Sequence, residues 1–257
     1  MGISEAFGVV GFTFFFAAVC LKDSSFKLIP LSLLYSSFIA SLVLVASLPV
    51  KNFPLILGKA SNGKFPLWSK ILYFPFFFLV LLYVFLKRLK RREPIYNEIS
   101  EGFFVGGWPS SKKHLPPGDP AVIDCTCELP RSSFISEDSY LCVATWDTRA
   151  PLPTEIETAV RWASKMRAQK KPIYVHCAFV HETGHGRSVC VMCAVLVTLG
   201  VAEDWKAAEK LVREKRPKIR MNVLHRKHLE EWSKLTHFSN GEHNDPLSAT
   251  SGAFVQQ

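Results

Sequence analysis

The sequence predicts an α/β domain built on a central, mostly parallel sheet flanked by helices, with a helical membrane region in front of it. Three observations predict this. Long apolar runs and an excess of positive charge share the first third of the chain. Short, nearly all-apolar runs then alternate with helix-patterned stretches. That second part, residues 93–237, is long enough to build one real core.

Composition narrows the class. The 257 residues are 48% hydrophobic and 21% charged, which excludes a disordered or collagen-like chain. A formal net charge of +9 would ordinarily raise nucleic acid as a partner. Residues 1–92, however, hold 11 Lys+Arg against two acids, Glu5 and Asp23, whereas residues 93–257 hold 20 of each sign. The excess sits beside the apolar runs, so it reads as membrane flanks and not as a nucleic-acid patch. The seven cysteines are odd in number and several lie in apolar runs, which favours a reducing compartment over a disulfide framework.

Three apolar stretches make up the membrane region. A spanning helix needs about 20 apolar residues. Residues 28–50 contain no charge and are the strong candidate; residues 71–86, extended by Leu67 and Trp68, are the second; residues 7–21 span, re-enter or pack on the other two. The N-terminal Met1-Gly2-Ile3-Ser4-Glu5 lacks Lys and Arg, which makes a poor signal peptide. Ala6 stands where a myristoylation signal wants Ser or Thr. Lys87-Arg88-Leu89-Lys90-Arg91-Arg92 reads as a basic stop segment that places the rest of the chain in the cytosol. Lys51, Lys59, Lys64 and Lys70 lie in a Pro- and Gly-containing loop, which three spans would put on the opposite side.

The elements of the second part follow in order. Residues 103–105, 121–125, 140–144 and 173–176 are β-rich and nearly all apolar, as strands buried on both faces are. Pro153, Thr154 and Glu155 open a helix with Ile156, Val160, Trp162 and Met166 as its apolar positions. Residues 188–199 form an apolar helix ending at Gly200, residues 203–215 an amphipathic one stopping before Pro217, and residues 222–235 the last. A polar tail, expected to be disordered, begins at Phe238.

The chemistry concentrates in Tyr174-Val175-His176-Cys177, a Gly-containing loop, and Arg187-Ser188 at a helix start. A cysteine at a strand end facing a helix N-terminus sits in positive potential, which predicts an exposed thiol of depressed pKa, a thiolate nucleophile. Loop N–H groups and the helix N-terminus form an anion site, and Arg187 adds a bidentate clamp on phosphate oxygens. Cys190 and Cys193, a Cys-x-x-Cys pair, fall inside the apolar helix and read as buried thiols. Cys125 and Cys142 are candidates to protect Cys177 as a disulfide.

These residues resemble the cysteine-dependent dual-specificity phosphatases of the protein tyrosine phosphatase superfamily, whose signature is His-Cys, five residues, Arg, then Ser or Thr. The resemblance covers most of residues 95–236. Residues 101–107 are similar to the family's first strand and Val122-Ile123-Asp124-Cys125-Thr126 to its second. Trp146-Asp147 resembles its general-acid loop, with Asp147 standing 30 residues before Cys177. The resemblance implies a protein tyrosine phosphatase-like sheet and a two-step phosphoryl transfer: Cys177 as nucleophile, Asp147 as general acid and then base, and Arg187 on the equatorial oxygens. Ser188 would aid departure of the thiolate and His176 would buttress the loop, with no cofactor or metal required. Ala178, Phe179, Gly184, His185, Gly186 and Arg187 would bind phosphate.

One departure stands out. Nine residues separate Cys177 from Arg187 where the family has five; without Val180, His181, Glu182 and Thr183 the loop would read Cys-Ala-Phe-Gly-His-Gly-Arg. Misplacing loop groups by about 1 Å can cost about 100-fold in rate. Three readings follow: an outward-looping insert that leaves a working site, a membrane-anchored phosphate-binding or scaffold protein without turnover, or an impaired variant of an active enzyme. His181-Glu182-Thr183-Gly184-His185 also spells a zincin-like string, with Asp204 or Glu209 as a conceivable third ligand, a metalloprotease reading the local pattern disfavours. The short tether from Arg92 to the first strand, at most ~35 Å, keeps the site near the membrane. That implies a phospholipid or a membrane-bound phosphoprotein as substrate. The loop positions carry no Lys, and Arg187 is their single cation, so highly phosphorylated inositides fit poorly.

Overall fold

The computed structural model describes residues 3–90, 94–147, 149–178 and 186–241. Two apolar helices, α1 (Ile3–Cys20) and α2 (Leu28–Ser47), form a hairpin. Ser4 Oγ lies 2.9 Å from Ser47 Oγ, so the open end of the hairpin brings both termini together. A loop with a 3-10 turn (Pro54–Leu57) leads to α3 (Leu67–Leu72) and α4 (Phe74–Lys90). The third apolar stretch is thus broken at Tyr73, where Pro75 fits only the first turn of a new helix. Among the described residues α2, 20 residues long, is the one helix long and apolar enough to cross a membrane.

The second part of the chain holds a five-stranded sheet in the order β1-β2-β5-β3-β4, with β1 (Tyr96–Ser100), β2 (Phe103–Gly107), β3 (Ala121–Asp124), β4 (Tyr140–Cys142) and β5 (Ile173–Cys177). All pairs are parallel except β1 with β2. Strand β1 is absent from the sequence expectation because Tyr96-Asn97-Glu98-Ile99-Ser100 is a half-polar edge strand without an apolar run. The period of two sorts the faces. Phe103, Val105, Ala121, Ile123, Ile173, Val175 and Cys177 point into a core with helices α5 (Pro153–Ala168), α6 (Gly186–Thr198), α7 (Trp205–Lys215) and α8 (Val223–Gly241). Phe104, Val122, Tyr174 and Tyr140 face the opposite side, under the loops that contain Leu115 and Ile135.

Carboxylates cap two helix starts, the one at α5 where the sequence opens a helix with Pro153, Thr154 and Glu155. The Glu155 carboxylate accepts the Leu152 N–H at 2.8 Å, and Asp204 accepts the Ala207 N–H at 2.7 Å at the start of α7. Helix α8 continues to Gly241, past Phe238, where the sequence reading starts a disordered tail; residues 242–257 lie outside the described part.

The helical segment and the sheet share a core. The loops leaving the C-terminal ends of β2, β3, β4 and β5 contribute Trp108, Cys127, Leu129, Trp146 and Ala178 to one apolar cluster. Phe7, Ile39, Val43 and Phe76 from α1, α2 and α4 complete it. Arg149 donates to the Ser47 carbonyl at 2.8 Å, and Arg88 donates to the Trp108 carbonyl at 2.6 Å. The helical segment therefore covers the C-terminal edge of the parallel strands, which is where open α/β sheets place their sites.

Candidate active site

Strand β5 ends on Cys177, and α6 begins nine residues later at Gly186 with Arg187 and Ser188 in its first turn. The Cys177 Sγ lies 3.3 Å from Ser188 Oγ. A Cβ on Gly186 would meet His225 Cε1 at 2.8 Å and the Arg220 carbonyl at 2.9 Å, so only glycine fits where α6 crosses the start of α8. The ring of His225, held by Asn222 at 2.6 Å, is buried there, and burial lowers its pKa to about 3.

Arg187 is fully enclosed. Its Nη1 donates to Glu128 Oε2 at 3.0 Å and to the Thr145 carbonyl at 2.6 Å, and Nη2 donates to Glu128 Oε1 at 2.8 Å. Asp147 Oδ1 approaches Nη2 at 3.4 Å. Burial opposes the charge on the guanidinium, but Glu128 and Asp147 outweigh it and hold Arg187 protonated. Glu128 thus grips the guanidinium end-on through Nη1 and Nη2 and fixes its plane.

Cys177 departs from expectation. It is buried, and burial pushes its thiol up despite the opposing pull of Arg187 and the Ser188 hydroxyl. The exposed, depressed thiol read from the sequence is corrected accordingly: Cys177 packs into the core between the sheet and helices α5 to α8, which the local motif does not encode. His176 faces the opposite side of the sheet, with Nδ1 3.8 Å from Asp124 Oδ1. Burial holds its pKa near 4, so the ring is neutral at physiological pH. Asp124 resists burial through Lys59 and His176, and its pKa falls to about 2.

Cys177, Arg187, Ser188 and Asp147 are thus brought together, with Ala178 and Gly186 at the two ends of the loop and His176 behind it. Phe179, Gly184 and His185, the inserted Val180, His181, Glu182 and Thr183, and with them the zincin-like string, lie outside the described residues. The two acids offered as its third ligand are already committed: Asp204 caps α7, and Glu209 is bonded to Arg213 at 2.7 Å and Arg226 at 2.8 Å. Cys190 and Cys193 are buried free thiols in α6. Cys125 and Cys142 are also free thiols.

Two residues of the site have no local signature. Glu128 is a lone acid in the Cys125-Thr126-Cys127-Glu128-Leu129 run, and nothing in the sequence pairs it with Arg187. Lys59, from the loop after α2, reaches Asp124 across 65 positions of sequence.

Comparison with known proteins agrees with this geometry. Residues 120–235 match the family described as dual specificity phosphatase, catalytic domain. The chain is 29% identical over 215 residues to the phosphatidylglycerophosphate phosphatase PTPMT2 of Arabidopsis thaliana, a match covering 77% of this chain and 86% of that protein. Among solved structures, PTPMT1 in complex with PI(5)P is similar at 20% identity and a TM-score of 0.48, covering 57% of this chain and 99% of that one. A mouse putative dual specificity phosphatase is similar at 16% identity and a TM-score of 0.48, covering 58% and 92%. The family match spans residues 120–235, the part of the chain that contains the strand–loop–helix motif around Cys177, and with the Arabidopsis relative it supports a phosphatase of the dual-specificity, protein tyrosine phosphatase type.

Proposed function

We propose that the chain hydrolyses a lipid phosphomonoester at a membrane surface through a phosphocysteine on Cys177. The observation that carries this reading is the shared apolar cluster. The loops around the site pack into the same core as α1, α2 and α4. Those helices leave Phe12, Phe16, Leu31, Phe38, Phe74 and Phe85 exposed. An apolar surface of that kind marks a membrane or partner site. The Arabidopsis relative is named for a phospholipid substrate, phosphatidylglycerophosphate, which supports the same class here. A soluble phosphopeptide is the second substrate class the chemistry admits.

In the first step the Cys177 thiolate forms a bond to phosphorus as the ester P–O bond breaks, and the Asp147 carboxyl gives its proton to the departing alkoxide. The Arg187 guanidinium holds the equatorial oxygens, with Glu128 fixing its plane. In the second step the Asp147 carboxylate takes a proton from water, the water oxygen bonds to phosphorus and the P–S bond breaks. The Ser188 hydroxyl supports the returning thiolate. We further propose that residues 1–92 are the membrane region, inserted through the α1–α2 hairpin, and that the catalytic part faces the cytosol. In this arrangement the loop containing Lys59 lies on the catalytic side.

The buried, raised Cys177 thiol favours reduced turnover in the chain as it stands. Phosphate release from a small aryl phosphate, with Cys177→Ser as control and a version lacking residues 180–183 beside it, tests this. The expected result is Cys177-dependent release that increases at least tenfold when the four residues are removed. Equal activity in the two versions would show the insert to be harmless, and release that survives Cys177→Ser would remove the phosphocysteine reading.

A further inference from the structure

We propose that Lys59, supplied by the N-terminal helical segment, is a positioning residue of the phosphatase site, holding the Asp124 carboxylate and the end of β3 behind His176 and Cys177. The inference rests on the reading of Cys177 as nucleophile. Its own support is geometric. Lys59 Nζ donates to Asp124 Oδ2 at 2.8 Å, to the Thr126 carbonyl at 2.6 Å and to Thr126 Oγ1 at 3.3 Å, which uses all three ammonium donors. The lysine side chain is 1% exposed and Asp124 is 0% exposed.

The carboxylate is in turn fully engaged. Oδ1 accepts the Thr126 N–H at 2.9 Å and its hydroxyl at 2.7 Å, and Oδ2 shares Lys59 with the Tyr140 hydroxyl at 2.7 Å. Between Asp124 and Thr126, the Cys125 N–H donates to the His176 carbonyl at 2.9 Å, tying this knot directly to the residue before Cys177. The loop that delivers Lys59 is fitted to the sheet independently of it. The Gly63 carbonyl accepts the Arg131 N–H at 2.8 Å. Gly63 has φ +78°, and a Cβ there would collide with the Tyr140 ring and its hydroxyl.

The charges explain why a lysine is needed. The groups acting on His176 are Asp124 from β3, Lys59 from the helical segment, Arg187 from α6 and Glu128 from the loop after β3. Those facing Asp124 are Lys59, His176, Thr126 and Tyr140. Without Lys59, the nearest group able to balance the buried Asp124 carboxylate is His176, by taking up a proton beside the nucleophile. A catalytic half separated from the first 92 residues would carry that imbalance.

The test uses the full chain in detergent micelles as wild type, Lys59→Met and Lys59→Met/Asp124→Asn. Alkylation of Cys177 by iodoacetamide is followed from pH 5 to 10 by mass spectrometry, beside release from an aryl phosphate. The alkylation arm reports on the site even where wild type releases no phosphate. Lys59→Met is expected to add an inflection between pH 5 and 7.5 and to slow release at least tenfold at unchanged KM. The double variant, lacking the carboxylate, is expected to lose the inflection and keep the slow release. A folded Lys59→Met with the wild-type profile and rate overturns the proposal, as does an inflection that persists in the double variant. If Lys59→Met does not fold, the double variant decides, and wild-type release from it is the contrary result. Release that survives Cys177→Ser would sink the nucleophile reading while leaving the alkylation result for Lys59 standing.

Discussion

At the scale of single residues, the site rests on two groups of paired charges. Lys59 meets Asp124 behind the sheet, and Arg187 meets Glu128 and Asp147 near the end of β5. Lys59, Asp124, Glu128 and Arg187 are tolerated in the interior because a neighbour of opposite sign meets each with hydrogen bonds. Glu128 shows the consequence most plainly. It grips Arg187 with both oxygens and accepts the Cys127 N–H at 3.0 Å. Glu128→Ala leaves the guanidinium buried beside a void, and breaking such a pair costs about 3–5 kcal/mol. A thermal melt of the variant is expected to show that loss, and a midpoint equal to wild type would remove Glu128 from the array. Cys177, Arg187, Ser188 and Asp147 were legible through resemblance to the family's motif, although nine residues separate Cys177 from Arg187 where the family has five. Glu128 and Lys59 were not legible, because what selects them is a buried partner reached only in the folded chain.

At the scale of elements, apolar runs located the parallel strands to within a residue or two. Residues 121–125 became Ala121–Asp124 and residues 173–176 became Ile173–Cys177. Central strands covered on both faces leave that mark. The edge strand β1 leaves none, since Asn97 and Glu98 occupy positions that solvent accepts. The third apolar stretch looks continuous by composition, yet divides into α3 and α4. Pro75 has no N–H to return to the Ile71 carbonyl, and the Tyr35 hydroxyl donates to the Ile71 and Leu72 carbonyls at 3.1 and 2.7 Å instead. A kink at that point lets Phe76 meet Trp146 at a centroid distance of 6.3 Å, beside Asp147. The division thereby places α4 over the loop that carries the proposed general acid.

At the scale of the whole molecule, the helical segment and the catalytic half are one folded body, and the pH dependence of stability follows from its interior. His176 and His225 are buried neutral, with pKa values lowered from 6.5 to about 4 and about 3. Below pH 6.5 the unfolded chain binds protons that the folded chain refuses. Stability therefore falls as pH drops from 6.5 toward 4, by up to about 1.4 kcal/mol per pH unit for each histidine. The Asp124 contribution is retained through that window and is lost only as pH falls from 3.8 toward 2. Unfolding midpoints of the full chain between pH 7 and 4.5 are expected to decline steadily, and a flat profile would mean that the two rings are accessible to protons. Sequence-level charge counting could not anticipate this, since burial decides which histidines titrate.

The same body joins the proposed phosphate site to an apolar surface, which is the basis for proposing a lipid substrate. The direct measurement is phosphate release by the full chain, reconstituted in phospholipid vesicles, from phosphatidylglycerophosphate in the same bilayer and from a soluble phosphotyrosine peptide, each beside Cys177→Ser. Cys177-dependent release from the lipid is expected to be at least tenfold faster than from the peptide. Equal or faster release from the peptide would contradict it.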